Sequence, residues 1–323
     1  MELTLVILYI FVFIALLLGV VLYFYLRKRK KINYLLKKIN NLYNINEDDY
    51  QGKMKLLEEV RNEVLKLSEK NKNDTTYKNI LYLTENIIKE LQFAKRFKIN
   101  RNEFLGNVAH ELRTPIFAIQ LSLETLLGGA INDSSVNVNF LNKALKHTKR
   151  LIELSDDLVT ISRLETEMKL SKRYIKINEL ISEVVNSLSI VAQKKSLNLD
   201  FVSEIKDSLQ VFCDAEAIKQ VMVNLIDNAI KYTNEGGKII VKTTKEGNNV
   251  FVTISDTGVG IPEESLPRIF ERFYRVDKDR SREIGGSGLG LSIVKHILEL
   301  HDSKISVESK LGEGTTFRFN LPV

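Results

Sequence analysis

Apolar residues follow several different patterns along the chain, and each pattern predicts a different element. Leu3–Leu26 is apolar except for Thr4 and Gly19. At 1.5 Å per residue that run reaches roughly 36 Å, enough to cross a hydrocarbon core of ~30 Å. Further on, Leu57, Val60, Val64 and Leu67 recur at helical spacing. Ile80, Ile87, Leu91 and Ala94 do so again after a polar interruption at Asn71–Thr76. The spacing predicts a largely helical stretch over 32–100, either paired in parallel as a coiled coil or lying as a single amphipathic helix on a globular body.

From Leu105 the seam becomes unbroken. Leu105, Ala109, Leu112, Ile116, Ile119, Leu123 and Leu126 alternate steps of four and three, the signature of a heptad face. Gly128 and Gly129 predict the end of that helix, 130–137 a turn, and a second helix runs to about Glu165 with Val138, Leu145, Ile152 and Val159 spaced by sevens. Two such helices cannot bury their seams alone, whereas two copies forming a four-helix bundle would. From about 171 short β-type runs alternate with helices. Strands are predicted at Ile175–Ile177, Leu209–Phe212, Lys238–Thr243, Val250–Ser255, Lys304–Glu308 and Thr315–Leu321, and helices at Glu179–Gln193, Ala215–Tyr232 and Leu289–Leu300. That order predicts an α+β two-layer sandwich.

Charge sharpens the first of these elements. The net charge of +6 is local: Arg27, Lys28, Arg29, Lys30, Lys31, Lys37 and Lys38 supply +7, and removing them leaves −1. A basic cluster beside an apolar run reads as a membrane flank, not as a face for direct nucleic-acid binding. It should stay cytoplasmic and leave the N-terminus outside, a single-pass arrangement. A cleaved signal peptide is the alternative. Glu2, the length of the run and its Tyr23-Phe24-Tyr25 end argue against it. No second run of this kind occurs, so no extracytoplasmic sensor domain is expected. Cys213 is the only cysteine, which excludes an intramolecular disulfide and a multi-cysteine metal site. It is expected to be a small buried strand residue.

Candidate chemistry falls in six strings, five of them downstream of the first. Phe104-Leu-Gly-Asn-Val-Ala-His110-Glu111-Leu-Arg-Thr114-Pro115 places His110 one step off the seam, facing solvent, with Thr114 one turn along. Pro115 removes a helical donor. Asn224-Leu-Ile-Asp-Asn228-Ala-Ile-Lys231-Tyr232 puts two amides and an ammonium on one helix face, suited to Mg²⁺ and phosphate. In Asp256-Thr-Gly258-Val-Gly260 a carboxylate beside a glycine turn can accept the adenine amino proton. Phe270-Glu-Arg-Phe-Tyr-Arg275 follows, and then Gly285-Gly286-Ser-Gly288-Leu289-Gly290 enters a helix, an anion-binding arrangement. A Rossmann reading of these glycines lacks its preceding strand, and a Walker reading lacks Gly-Lys-Ser/Thr. Gly312-Glu-Gly314-Thr315 leads into the last strand.

Together these strings resemble the sensor histidine kinases of two-component systems: a dimerisation and phosphoacceptor domain followed by an ATP-binding domain of the gyrase and heat-shock chaperone superfamily, closest in type to the phosphate-regulon and respiration sensors. The resemblance spans about 100–323. It implies a multidomain chain: a transmembrane anchor over 1–26, a juxtamembrane and helical or coiled-coil linker over 27–99, a dimeric four-helix-bundle phosphoacceptor domain over 100–170 and an α+β two-layer ATP-binding sandwich over 171–323. It implies that His110 is the nucleophile, Glu111 its proton acceptor and Thr114 a water-positioning residue for dephosphorylating the partner. It further implies that Asn228, assisted by Asn224, ligates Mg²⁺, that Lys231, Tyr232 and Arg275 contact phosphate and ribose, and that Asp256 specifies adenine. Gly258, Gly260, Gly286, Gly288, Leu289 and Gly290 would complete the ATP site. Residues 276–287 would form a lid carrying Arg280 and Arg282. The expected partners are a second copy, a response-regulator receiver domain and the lipid bilayer of a bacterial plasma membrane, with the catalytic domains in the cytoplasm. A degenerate nucleotide-binding scaffold and a gyrase-like conformational machine are the rivals. The intact motif residues argue against the first and the His110 helix pair against the second.

Overall fold

The computed structural model describes residues 37–38, 41, 45, 49–70, 75–165, 170–277 and 286–323. The apolar run over Leu3–Leu26 and lid residues 278–285 lie outside them. Among the described residues no helix is long and apolar enough to cross a membrane. The chain divides into two compact units, Met1–Gly106 and Asn107–Val323.

In the first unit α1 (Tyr50–Lys70) packs against the beginning of α2 (Thr75–Leu127). Tyr50 and Leu57 bury against Leu91 and Ala94, while Val60 and Val64 meet Ile80 and Leu81. Positions advance along α1 as they retreat along the first turns of α2, so the pair is antiparallel and lies within one chain. The same apolar spacing had suggested parallel pairing between chains. A seam fixes which face is buried, not which helix covers it.

The second unit begins on α2 and continues through α3 (Asn137–Glu165), joined by the turn at Gly128 and Gly129 and a short 3₁₀ segment, Ala130–Asn132. Gly129 has a φ of 120°, which suits glycine after a helix end. Within this hairpin Pro115, Ser122 and Leu126 of α2, and Ala144, Leu154 and Ile161 of α3, are buried. The residues spaced by sevens, Val138, Leu145, Ile152 and Val159, remain exposed, as do Leu105, Ile116 and Leu123. Each helix therefore carries two apolar stripes, one buried within the chain and one bare.

The rest of the unit is the expected two-layer sandwich. Its sheet has the order β2-β4-β5-β7-β6, with β2 (Asn198–Ser203) parallel to β4 (Lys238–Glu246) and the others antiparallel: β5 (Asn249–Asp256), β6 (Ile305–Lys310) and β7 (Gly314–Pro322). A separate ribbon pairs β1 (Arg173–Lys176) with β3 (Gln210–Cys213). Period-two burial puts Ile239 and Val241, Val250, Val252 and Ile254, and Phe317, Phe319 and Leu321 on one face. Against it lie α4 (Ile177–Lys194), α5 (Ala215–Tyr232) and α6 (Gly290–Leu300), through Ile181, Ile218, Leu225, Ile293 and Ile297 among others. Full burial of such side chains contributes roughly 1.5–3 kcal/mol each before the entropy cost. Strand β2 has no counterpart among the predicted elements. It is a six-residue edge strand in which only Leu199 and Phe201 turn inward, and both are half-buried. Cys213 is buried, and desolvation pushes its thiol up to about 12.

Candidate active site

Helix α5 supplies one wall of the site. The carboxylate of Asp214 caps it by accepting from the Ala217 N–H at 3.1 Å. Val221, Met222, Leu225, Ile226, Ala229 and Ile230 are buried toward the sheet. The 3.6-residue period then turns Asn224, Asp227, Asn228 and Lys231 to the opposite side, where they line a cavity of about 610 Å³. Lys231 pairs with Asp227 at 2.7 Å. The Asn224 amide donates to the Gly290 carbonyl at 3.5 Å, which leaves its oxygen toward the start of α6. Tyr232 closes the helix at the cavity mouth, partly exposed.

Asp256 ends β5 at the apolar end of the cavity, near Ile261, Pro262, Ile269 and Phe317. Burial raises its pKa above the ordinary carboxylate value, while the Gly258 N–H, donating at 2.8 Å, works the other way. Gly260 has a φ of 69°, and a Cβ there would sit 2.1 Å from the Lys310 carbonyl oxygen, so the turn admits only glycine. Gly258 lies behind the lining and contributes its N–H to Asp256.

The third wall is the glycine string that opens α6. Gly286, Gly288 and Gly290 line the cavity with Arg275. Leu289 does not: its side chain is fully buried and its N–H donates to Ser287 Oγ at 3.1 Å. The Phe273 N–H donates to the Gly288 carbonyl at 2.8 Å, and a Cβ on Gly288 would meet the Phe273 Cα at 2.9 Å. The two strings are thus fitted back to back, with Phe273 held at a φ of 62°.

His110 stands exposed on α2, as its place off the seam requires. Thr114, one turn on, is also exposed, and its hydroxyl donates back to the His110 carbonyl at 3.4 Å. Glu111 points the other way. Its Oε2 accepts from Arg150 of α3 at 3.1 Å and from Arg275 at 2.9 Å. Arg275 also donates to the Gly286 carbonyl. The helix carrying His110 therefore touches the rim of the cavity. Two further contacts join α3 to the sandwich: Ser287 Oγ donates to Asp157 at 2.5 Å, and the His296 ring meets the Leu164 carbonyl at 3.3 Å. Burial raises the pKa of Asp157, which lines the cavity too. Arg150, Asp157 and the Ser287 side chain were absent from the sequence expectation. Their contacts link positions far apart in the chain, and no local spacing announces them.

Residues 100–167 match the His Kinase A (phospho-acceptor) domain, and residues 213–323 match the histidine kinase-, DNA gyrase B- and HSP90-like ATPase. The chain is 34% identical over 240 residues to the sensor histidine kinase WalK of Bacillus subtilis, covering 73% of this chain and 39% of that protein. It is 36% identical over 228 residues to the sensor-like histidine kinase SenX3 of Mycobacterium bovis, covering 70% of this chain and 55% of that one. It therefore spans about half or less of the length of these relatives. Among solved structures, the Acinetobacter baumannii histidine kinase AdeS aligns with a TM-score of 0.54 at 26% identity, over 66% of this chain and 97% of that one. Histidine kinase ThkA, in complex with response regulator protein TrrA, aligns with a TM-score of 0.59 at 30% identity, over 71% and 63%. Both domain matches fall in chain order on the two halves of the site, and the chain belongs to the sensor histidine kinases of two-component systems.

Proposed function

We propose that this chain is a membrane-anchored, dimeric histidine kinase that binds ATP with Mg²⁺ in the cavity, phosphorylates its own His110 and passes the phosphoryl group to an aspartate of a response-regulator receiver domain. The observation that carries the reading is the Glu111–Arg275 contact, which joins the helix of the exposed His110 to the rim of the cavity. The ThkA complex supports a response regulator as partner, and the bare stripe through Leu105, Ile116, Leu123, Val138, Leu145 and Ile152 supports pairing of two copies. The apolar run and basic flank at Leu3–Lys31 support a plasma-membrane anchor with cytoplasmic catalytic domains.

The cavity suits the nucleotide. Its volume lies within the range of small-molecule sites, with an apolar end marked by one carboxylate, Asp256, as an amino-bearing purine requires. Lys231, Arg275 and the N-terminus of α6 place positive charge at the other parts of the wall, for phosphates. Among the described residues no three His, Cys, Asp or Glu side chains cluster to hold a metal. Mg²⁺ would instead be held by the amide oxygens of Asn224 and Asn228 together with phosphate oxygens, and when bound it neutralises phosphate charge. The Asn228 amide is half-buried and lacks a hydrogen-bond partner among the described residues, which fits a ligand role.

In the reaction one imidazole nitrogen of His110 forms a bond to the γ-phosphorus, the bond to the bridging oxygen breaks, and ADP leaves. The proton on the other nitrogen passes to Glu111. Here the Glu111 carboxylate is engaged by Arg150 and Arg275, so the arrangement is a resting one and these contacts open before Glu111 meets the imidazole. Thr114, exposed on the same face as His110, would orient water for hydrolysis of the partner's phospho-aspartate. Incubation of the full chain with γ-labelled ATP tests the proposal. Acid-labile, base-stable label is expected on the wild-type chain and none on His110→Gln, because the amide is no nucleophile. Label persisting on the variant would place the acceptor elsewhere.

A further inference from the structure

The last turn of α5 carries Lys231 and Tyr232 into the cavity, and a helix end presents carbonyls with no partner inside the helix. Here each is accounted for. The Ala229 carbonyl accepts from Thr233 N–H at 3.0 Å, and the Tyr232 carbonyl accepts from Val259 N–H, in the Asp256 turn, at 3.1 Å. The two between them, Ile230 and Lys231, both accept from the ammonium group of Lys195, each at 2.8 Å.

Lys195 is the C-cap residue just after α4, where its own N–H closes on the Ala192 and Gln193 carbonyls. The next residue, Ser196, turns the chain with a φ of 55°, and its carbonyl accepts from Gly236 N–H at 3.0 Å. The main chain around Lys195 is thereby tied both to α4 and to the loop after α5, and the side chain is half-buried. A cation at a helix C-terminus also offsets the negative end of the helix dipole. That end lies against the Asp256 turn, which borders the cavity.

We infer that Lys195 is a positioning residue for the nucleotide: its ammonium group clamps the final turn of α5 and so sets where Lys231 and Tyr232 enter the cavity. The inference rests on the ATP-binding reading. Lys195 lies outside the stretch matched to the ATPase family and 35 and 36 residues from the carbonyls it holds. Nothing in the local sequence marks it.

The test compares Lys195→Met, Lys195→Gln and Lys195→Arg in the full chain, reading ATP affinity by calorimetry and thermal melting without nucleotide. Lys195→Met is expected to weaken ATP about tenfold, the scale of one lost charge-assisted hydrogen bond, and Lys195→Arg to restore affinity to within about threefold. Lys195→Gln, with a neutral donor, should fall between them. A Lys195→Met chain that melts earlier yet binds ATP as the wild type does would overturn the inference and leave only a helix cap. If that variant does not fold, the other two decide, and equal ATP affinity in Lys195→Gln, Lys195→Arg and wild type overturns it. A wild-type chain that binds no ATP refutes the ATP-binding reading itself, a separate outcome.

Discussion

Glu111 and Arg275 form an ion pair of 2.9 Å in which the guanidinium side chain is 7% exposed and the carboxylate 19%. Removing one partner of such a pair leaves the other charge poorly solvated. Glu111→Ala is therefore expected to lower the melting temperature as well as to slow autophosphorylation by about a hundredfold or more, the contribution of a lost proton acceptor. Glu111→Gln keeps the shape and can still accept from Arg275, but it cannot take the imidazole proton. Its melting temperature should stay nearer the wild type while its rate falls as far. If Glu111→Gln autophosphorylates at the wild-type rate, Glu111 is a structural anchor and not the base.

Thr114 separates two activities. Its hydroxyl donates only weakly, at 3.4 Å, to the His110 carbonyl, so its loss does little to the helix. Thr114→Ala should retain most autophosphorylation and slow dephosphorylation of the regulator about tenfold, one transition-state hydrogen bond at roughly 1.4 kcal/mol per decade. Equal losses in both assays would assign Thr114 to support of the Pro115 turn.

At the nucleotide, Asp256→Asn changes one acceptor at the apolar end of the cavity. ATP affinity should drop by about a hundredfold, the upper scale of one buried polar group left wrongly paired at ~1–3 kcal/mol, with little change in the melting of the nucleotide-free chain. Asn228→Ala should remove the Mg²⁺ dependence of binding. Calorimetry that finds both variants equal to wild type, with and without Mg²⁺, would refute the assignment.

The pH dependence of stability should carry a contribution from His301. Its ring is buried, accepts from the Asp214 N–H at 3.0 Å through Nε2 and meets the Ile297 carbonyl at 2.7 Å through Nδ1, so the neutral Nδ1–H form is the one held. Desolvation lowers its pKa. The unfolded chain takes up the proton near the ordinary histidine value of about 6.5 while the folded chain still resists it. This contribution is complete above that value and is lost as pH falls through it toward the folded pKa. Urea unfolding at pH 7.5 and 5.5 should show a smaller difference for His301→Gln than for wild type. An unchanged difference would remove His301 from the account.

What could be read from the sequence was whatever is contiguous. The acceptor string around His110, the Asn224–Tyr232 face and the glycine strings each occupy one element, and helical or turn geometry alone brings their members together. The edge strand Asn198–Ser203 was missed because it is short and turns only Leu199 and Phe201 inward, too few positions to stand out as a strand. The sevens of α3 identified a real stripe, yet the one covered inside the chain runs through Ala144, Leu154 and Ile161, since two stripes on one helix look alike in sequence. Arg150 on Glu111, Asp157 on Ser287 and Lys195 on α5 join segments 39, 130 and 35 residues apart. Only the packed fold brings such groups within reach.

The double striping of the α2–α3 hairpin sets an order of events. The stripe covered within one chain closes in a first-order step, indifferent to concentration. The bare stripe through Leu105, Ile116, Val138 and Ile152 can be covered by another copy only in a second-order step. On the dimeric reading, subunits would then trade places without unfolding. Mixing a His110→Gln chain with an Asp256→Asn chain would form hybrids at a rate set by dissociation, and the label recovered in those hybrids would report whether one subunit phosphorylates itself or its neighbour.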